Sequence, residues 1–329
     1  MQAYENPKVT ILVPCYNVEQ FLPQCLDSLA TQKLKELQII CINDGSTDNT
    51  LSILQDYAAH DERFEIIDKP NSGYGASMNC GLQKARGEYI GIVESDDFAD
   101  SRMFKRLYNM AKKHDCDLVK CNYAEYENGK IHRLYPFEGY PYKRVFNPGE
   151  YRNIIRVLPI IWAGIYRRSM LLENRILFTE TPGASYQDTA FVQRVWFAAE
   201  RVALLPGCFL NYRTDNAASS VKSSSKVYEI CKEFTTSEAF LAQRPDKYAL
   251  FAPVLNSVKM ATYRWNFNRI APEYRLDFCK RWIAELSCAE REGMLPHHIM
   301  SELDWAQYAE LKADPEAFVE AYPDGLPWG

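Results

Sequence analysis

Three carboxylates occur within four consecutive residues, Glu94 to Asp97, with Ser95 as the fourth residue. The segment directly follows a short apolar run that is typical of a buried strand. Carboxylates this close repel one another unless a cation neutralises them. Their oxygens suit Mg²⁺ or Mn²⁺, which complete their coordination with water and substrate phosphates. The same side chains could instead cap the helix predicted after Met103, so spacing alone leaves a metal site and a helix cap open.

Two further polar segments also follow apolar runs, Pro14-Cys15-Tyr16-Asn17 and Asn43-Asp44-Gly45-Ser46. In an open α/β sheet, ligands bind beyond the carboxyl ends of the strands, so all three polar segments would share one edge of the sheet. Taken alone, Asp44-Gly45 is typical of a turn, and Asn17 is typical of a helix N-cap. Their recurrence at the same position relative to the strands favours a ligand site.

A glycine-containing segment, Asn71 to Asn79, precedes the acidic one. Gly73 and Gly75 would permit close approach of the backbone, and the helix predicted to follow would point its N-terminus toward an anion. No GxGxxG follows the first apolar run, and no Walker loop occurs. On its own, this glycine pair is weak evidence for phosphate binding.

Apolar runs alternate with helical patterns between residues 8 and 122, and this alternation predicts an α/β scaffold: a mostly parallel central sheet with helices on both faces. From about 123 to 160, many tyrosines and prolines predict loops and short strands. Beyond Ser225 the pattern is helical, so we place a domain boundary near residue 220. The predicted strands are Lys8 to Val13, Leu37 to Ile42, Phe64 to Ile67, Tyr89 to Val93 and Leu118 to Cys121.

The composition limits the class of protein. With 329 residues and 47% hydrophobic content, the chain can bury a sizeable core. A net charge of −5 gives no general attraction to nucleic acid, which we do not expect as a partner. None of the ten cysteines forms a CxxC pair, which predicts reduced thiols. The start lacks a signal-peptide pattern, and no apolar run approaches the roughly 20 residues that span a bilayer, so we expect a soluble, cytoplasmic protein.

Taken together, three segments resemble the N-terminal half of the family 2 glycosyltransferases, over roughly residues 8 to 110. The resemblance implies the GT-A fold, with a catalytic domain over 1–220 (nucleotide-binding half about 8–122, acceptor half about 123–220) and a helical C-terminal region over 221–329. It also implies transfer of a sugar from a nucleoside-diphosphate donor, most often UDP, to an acceptor hydroxyl with inversion, in polysaccharide or glycoconjugate synthesis. The segments are VTILVPCYNVEQFLPQCLDSL, IICINDGSTDNT and KPNSGYGASMNCGLQKARGEYIGIVESDDF.

The resemblance assigns roles to individual residues. Tyr16 would lie against the nucleotide base, and Asp44 would accept a hydrogen bond from it. Asp96 would contact a divalent metal, Mn²⁺ or Mg²⁺, with Asp97 as a helper and Glu94 at a position where the family usually has Asp. The remaining positions of the predicted nucleotide-sugar site are Pro14, Asn17, Asn71, Gly73, Gly75, Asn79 and Ser95.

Two later residues complete the predicted site. Asp188 matches the family's general base, although Gln187 stands where a second acid is common; the alternative is that Asp188 caps the helix that follows. Arg213 would clamp the diphosphate in a fork geometry, or it is an ion-pair residue without such a role. None of the five histidines lies near these positions, so we expect no histidine metal ligand.

The predicted partners are a nucleotide-sugar donor and an acceptor that is a saccharide, a lipid-linked sugar or another glycan. Basic and aromatic residues between Tyr263 and Arg281 leave two interpretations open: peripheral contact with the inner face of the membrane, or core packing with solvated charges. The oligomeric state is not indicated. Two rival functions are a sugar nucleotidyltransferase, which would need a glycine-rich basic loop after the first strand, and a non-catalytic nucleotide-sugar or glycan-binding protein.

Overall fold

The computed structural model describes residues 4–216 and 226–327. These fall into two compact units, Met1–Tyr151 with Val157–Ala218 and Arg152–Arg156 with Ser219–Gly329. The boundary predicted near residue 220 falls between 217 and 225, outside the described residues.

A ten-stranded sheet forms the centre of the first unit, and all five predicted strands are part of it. The first two strands are buried along their whole length, as expected for strands covered on both faces. The strands are β1 Val9–Cys15, β2 Leu37–Asp44, β3 Phe64–Lys69, β4 Tyr89–Ile92, β5 Phe98–Ala99, β6 Leu118–Glu127, β7 Lys130–Leu134, β8 Val145–Phe146, β9 Gly164–Arg167 and β10 Val202–Arg213.

The sheet is mixed, and its order is β3-β2-β1-β4-β9-β6-β10-β5. Strands β1 to β4 are parallel, whereas β9 lies antiparallel between β4 and β6. The short strands β5, β7 and β8 are also antiparallel to their neighbours. Because Cys15 pairs with Asn43 and Leu12 with Ile92, the carboxyl ends of β1, β2 and β4 lie at one edge, as predicted.

Within residues 4–216, six α-helices accompany the sheet of the first unit. Their apolar positions recur at helical spacing, as Leu22, Cys25, Leu26 and Leu29 do in the first of them. A 3₁₀ segment over Pro148–Arg156 is interrupted at Tyr151, and its second part, Arg152–Arg156, is assigned to the second unit. The helices are α1 Leu22–Ala30, α2 Thr50–His60, α3 Tyr74–Lys84, α4 Met103–His114, α5 Arg168–Glu173 and α6 Gln187–Ala198.

The second unit is helical, as predicted for the C-terminal region. Tyr263 and Phe267 are fully buried in it, and Arg264 forms an ion pair with Asp304 at 2.9 Å. The structure therefore favours core packing over membrane contact for this aromatic and basic stripe. Within the described ranges, no helix is long and apolar enough to cross a membrane. The helices are α7 Glu229–Ala242, α8 Pro245–Arg269, α9 Pro272–Arg291, α10 Glu302–Ala313 and α11 Pro315–Ala321, with a 3₁₀ turn at His297–Ile299.

Candidate active site

The candidate site lies at the edge where β1, β2 and β4 end. Tyr16 follows β1 directly, and 52% of its surface is exposed. Asp44 is the last residue of β2, and Glu94 comes two residues after β4. The sheet register thus brings together three positions that are far apart in the sequence.

Asp44 is a buried carboxylate that holds the turn leading into α3. It accepts hydrogen bonds from the backbone amides of Ser72 at 2.8 Å and Gly73 at 2.9 Å, and it forms an ion pair with Lys69. These donors offset the burial of its charge. Its predicted hydrogen bond to the base would be additional to this structural role.

Asn17 is not the N-cap of α1, so that interpretation was wrong. Its backbone has a φ of 51°, and the helix begins only at Leu22. Its side-chain oxygen instead accepts a hydrogen bond from the Thr47 amide at 2.8 Å, while its own amide donates to Ser46 Oγ at 3.0 Å. Asn17 therefore ties the loop after β1 to the loop after β2.

The acidic segment does not cap a helix either, because α4 begins at Met103 with Arg102 at its N-cap and no acid in its first turn. Glu94 Oε1 accepts a hydrogen bond from Tyr74 Oη at 2.7 Å, and Asp96 Oδ2 accepts one from Asn216 Nδ2 at 2.8 Å. These two side chains are half-buried.

Asp97 differs from its two neighbours because it is only 1% exposed. Its Oδ1 accepts a hydrogen bond from the Arg213 amide at 2.8 Å, and its Oδ2 is buried with no partner among the described residues. This environment favours an anchoring role toward β10 over metal ligation.

The carboxylates of the acidic segment affect one another's ionisation. Burial raises the pKa of Glu94 to about 8, and Asp96 and Asp188 add to the rise, against the lowering effect of the Tyr74 hydrogen bond. Burial, with help from Asp96, raises the pKa of Asp97 well above its usual range. A bound cation would favour the ionised forms and reverse these shifts.

The carboxylates of Glu94 and Asp96 fit a divalent cation that takes most of its ligands from water and substrate phosphates. No group of three or more candidate ligands was found within residues 4–216 and 226–327. Mg²⁺ is commonly bound through one or two carboxylates plus substrate phosphates. The half-buried Asp96 and Glu94 fit that pattern, whereas an all-protein cage does not.

The glycine segment does permit close backbone approach, but the partner is another part of the chain. A Cβ at Gly73 would lie 2.6 Å from the Thr181 carbonyl oxygen, and one at Gly75 would lie 2.9 Å from the Thr179 carbonyl carbon. Asn79 fixes the same partner segment, since its side chain donates to the Phe178 carbonyl at 3.0 Å and accepts from the Phe178 amide at 2.8 Å. These three residues therefore position residues 178–183, and donor contact by them stays a prediction.

Residues 178–183 lead into α6, which carries Asp188. Asp188 is the second residue of α6, and the N-cap position belongs to Tyr186, so the capping alternative does not describe it. Burial raises the pKa of Asp188 to about 6. Its charge in turn raises the pKa values of Glu94 and Tyr74, so Asp188 is within electrostatic range of Glu94.

Arg213 is an ion-pair residue in the structure. It is 8% exposed, its Nη1 lies 3.1 Å from Asp215 Oδ1, and its Nε donates to the Asp96 carbonyl at 2.9 Å. Its guanidinium also lies 4.7 Å from the ring centre of Phe21. A diphosphate contact by Arg213 stays a prediction and would require part of this network to rearrange.

The other predicted residues have different surroundings. Pro14 is buried in β1 beside Ile42, Ser95 is buried next to Cys15, and Asn71 is exposed with its backbone against Gly45. The structure thus brings Pro14 and Ser95 into the sheet edge as core residues and leaves Asn71 on the surface.

Two aromatic residues at the site were not predicted. Tyr74 links α3 to Glu94, and its only sequence signal was a tyrosine between two glycines. Tyr212 stacks on Trp162 with ring centres 5.2 Å apart. Burial raises the pKa of Tyr212 to about 12, with smaller contributions from the acidic segment, so Tyr212 is within electrostatic range of these carboxylates.

Known proteins resemble this chain in sequence. The family model described as Glycosyl transferase family 2 matches residues 10–175. The putative glycosyltransferase EpsH of Bacillus subtilis is 34% identical over 251 residues, which cover 73% of this chain and 70% of EpsH. The uncharacterized glycosyltransferase EpsJ of the same organism is 35% identical over 213 residues, but the match covers only 61% of EpsJ and 63% of this chain.

The fold also matches solved structures. S. aureus TarS 1-349 in complex with UDP-GlcNAc has a TM-score of 0.77 at 21% identity, covering 95% of this chain and 89% of that one. The mannosyltransferase PcManGT from Pyrobaculum calidifontis, in complex with GDP-Man and Mn²⁺, has a TM-score of 0.53 at 18% identity, covering 96% and 86%. These likenesses confirm the predicted α/β GT-A fold with its helical C-terminal region. The family match and the likeness to EpsH show that the chain belongs to glycosyl transferase family 2, as its motifs indicated.

Proposed function

We propose that this family 2 glycosyltransferase transfers a sugar from a nucleoside-diphosphate donor, with UDP as the first candidate, to a hydroxyl of a glycan acceptor with inversion. The observation that carries the proposal is that Asp188 acts electrostatically on Glu94, while Tyr74 links Glu94 to the turn before α6, at the edge where Tyr16 is exposed. A base and a diphosphate site must face each other across the bond that breaks. Relatives solved with UDP-GlcNAc and with GDP-Man and Mn²⁺ support a nucleotide-sugar donor.

On the donor side, Tyr16 offers an exposed ring on which a base can stack. Asp44 keeps the neighbouring turn in place through its bonds to Ser72 and Gly73. Asp96 and Glu94 would hold a divalent cation. When bound, such a cation supplies charge stabilisation for the departing diphosphate.

On the acceptor side, Asp188 accepts the proton of the attacking hydroxyl at a carboxylate oxygen. The acceptor oxygen forms a bond to the anomeric carbon as the bond to the diphosphate breaks, so the configuration inverts and the nucleoside diphosphate leaves. A base whose pKa is about 6 is largely ionised at neutral pH, yet it binds a proton better than an ordinary aspartate.

The test uses the purified chain with a panel of nucleotide sugars and Mn²⁺ or Mg²⁺, measuring nucleoside-diphosphate release with and without saccharide acceptors. Asp188→Asn should lower turnover by about 10²–10⁴-fold and leave donor affinity by calorimetry nearly unchanged. Asp56→Asn, at an exposed acid on α2, is the matched control.

Near-normal transfer by Asp188→Asn would refute its role as base. The rival functions give other results: a sugar nucleotidyltransferase would form a nucleotide sugar from a nucleoside triphosphate and a sugar phosphate, and a binding protein would be stabilised by donors without turning them over.

A further inference from the structure

Gln187, the residue before the proposed base, makes an unusual set of hydrogen bonds. It is the first residue of α6 and is 2% exposed. Its Oε1 accepts from the Ser185 amide at 2.5 Å, while its Nε2 donates to Thr181 Oγ1 at 2.8 Å and to the Gly183 carbonyl at 3.2 Å. One side-chain amide therefore closes the whole turn between Thr181 and Ser185.

This turn needs a restraint because the next residue is strained. Tyr186 has a φ of 61°, which a bulky residue rarely adopts, and no side chain caps α6 at that position. Such a conformation persists only where its surroundings impose it. The hydrogen bonds of Gln187 are among the contacts that hold the chain immediately before Tyr186.

The far side of the turn rests on the start of α3. The Gly183 carbonyl also accepts a hydrogen bond from the Tyr74 amide at 3.0 Å, and the Thr181 carbonyl packs against Gly73. Gln187 thus joins α6 to the element whose Tyr74 side chain bonds to Glu94. A shift of this turn would move Asp188 relative to the acidic segment.

We propose that Gln187 is a positioning residue that aims Asp188, and that this role requires an amide rather than a carboxylate at this position. The inference rests on the proposed transfer reaction with Asp188 as base. A glutamate could still accept from the Ser185 amide, and the Thr181 hydroxyl could rotate to donate to it. It could not donate to the Gly183 carbonyl, so two acceptors would face each other.

A glutamate would also add a negative charge beside Asp188. Asp188 raises the pKa values of Glu94, Tyr74 and Tyr166, and Lys120 lies behind Tyr166 with its Nζ 3.3 Å from the Tyr166 hydroxyl. A further carboxylate in this setting disfavours the ionised form of the base. The substitution Gln187→Glu should therefore lower kcat.

The test compares Gln187→Met, which keeps the size and removes the hydrogen bonds, with Gln187→Glu. The matched control is Gln193→Met, because Gln193 lies on the same helix, is 4% exposed, and its Oε1 has no partner in the described part of the chain. The readouts are kcat and donor KM across pH, UDP affinity by calorimetry, and hydrogen exchange of a peptide spanning residues 179–187.

Gln187→Met should lower kcat by about 10- to 100-fold with little change in donor KM, since the base is misaimed and the donor side is intact. Its Ser185 amide should exchange faster than in the control. Gln187→Glu should lower kcat and also move the acidic limb of the pH profile upward by about one unit. Thr181→Val should act in the same direction as Gln187→Met, and Thr181→Ser, which keeps the hydroxyl, should restore activity.

Wild-type kcat in Gln187→Met, or a Gln187→Glu variant as active as wild type, overturns the proposal. If Gln187→Met does not fold, Thr181→Val against Thr181→Ser decides the question. Failure of the proposed function would be seen separately, as full turnover in Asp188→Asn. Hydrogen exchange of residues 179–187 measures whether Gln187 stabilises the turn, and it does not depend on turnover.

Discussion

Gly75→Ala tests whether the start of α3 and the segment before α6 act as one assembly. A Cβ at this position would lie 2.9 Å from the Thr179 carbonyl carbon and 3.3 Å from the Glu180 Cα, both backbone atoms. Ordinary contacts between carbon atoms are about 3.5–4.0 Å, so residues 179–180 or α3 must move by at least about 0.6 Å. Because this segment leads to Asp188, the displacement should reach the base.

The expected loss in kcat is about 10-fold or more, since misplacement by about 1 Å can reduce the rate of a chemical step by 10². Stability is an independent readout. Gly→Ala inside a helix ordinarily stabilises by up to about 1 kcal/mol, whereas forced overpacking costs about 1–3 kcal/mol. The variant should therefore unfold at a lower denaturant concentration, opposite to what helix propensity predicts.

The assay combines donor turnover, UDP calorimetry and denaturant unfolding of Gly75→Ala beside wild type. UDP affinity should change less than kcat, because Tyr16 follows β1 and Asp44 ends β2; a smaller effect could reach Asp44 through the Ser72 and Gly73 amides that donate to it. A variant that is more stable than wild type and fully active would show that Thr179 and Glu180 do not pack against Gly75 of α3.

Three further perturbations address the carboxylates. The kcat should fall about tenfold per pH unit below about pH 6 and level off above it, because the pKa of Asp188 is raised to about 6 and only its ionised form accepts a proton; a flat kcat from pH 4.5 to 7 would contradict this. Asp96→Ala should weaken Mn²⁺-dependent UDP binding by about tenfold or more while Asp100→Asn does not, and unchanged metal-linked affinity in calorimetry would remove Asp96 from the metal site. Tyr74→Phe removes a hydrogen bond that lowers the pKa of Glu94, so Mn²⁺-dependent UDP binding should require a higher pH; a midpoint identical to that of wild type would show that Glu94 is not linked to binding.

The sheet edge could be predicted from sequence because its signals are local. The apolar runs that become β1, β2 and β4 end where their polar residues begin, and parallel pairing then places Tyr16, Asp44 and Glu94 side by side. The antiparallel insertion of β9 had no such signal, since its four residues carry no pattern that distinguishes a parallel from an antiparallel partner.

The partners of the glycine segment could not be predicted for a different reason. Gly73 and Gly75 indicate that another group comes close to the backbone, but a glycine does not indicate which part of the chain that group belongs to. Here the approaching backbone is Thr179 to Thr181, about a hundred residues later in the chain. The N-cap prediction for Asn17 was wrong for a similar reason. Asparagine is common at helix N-caps, but it also tolerates the left-handed conformation that Asn17 adopts here.

The carboxylates of the acidic segment have two different surroundings. Asp97 is buried and holds the Arg213 amide, which fixes the end of β10, whereas Glu94 and Asp96 remain half-exposed at the sheet edge. Burial, with a contribution from the Asp96 charge, raises the pKa values of Glu94 and Asp97, which disfavours their ionised forms. A fold selected for stability alone would replace such a cluster with neutral residues. The proposed function gives the segment a role, since a divalent cation and a diphosphate bound beside Glu94 and Asp96 would offset these negative charges.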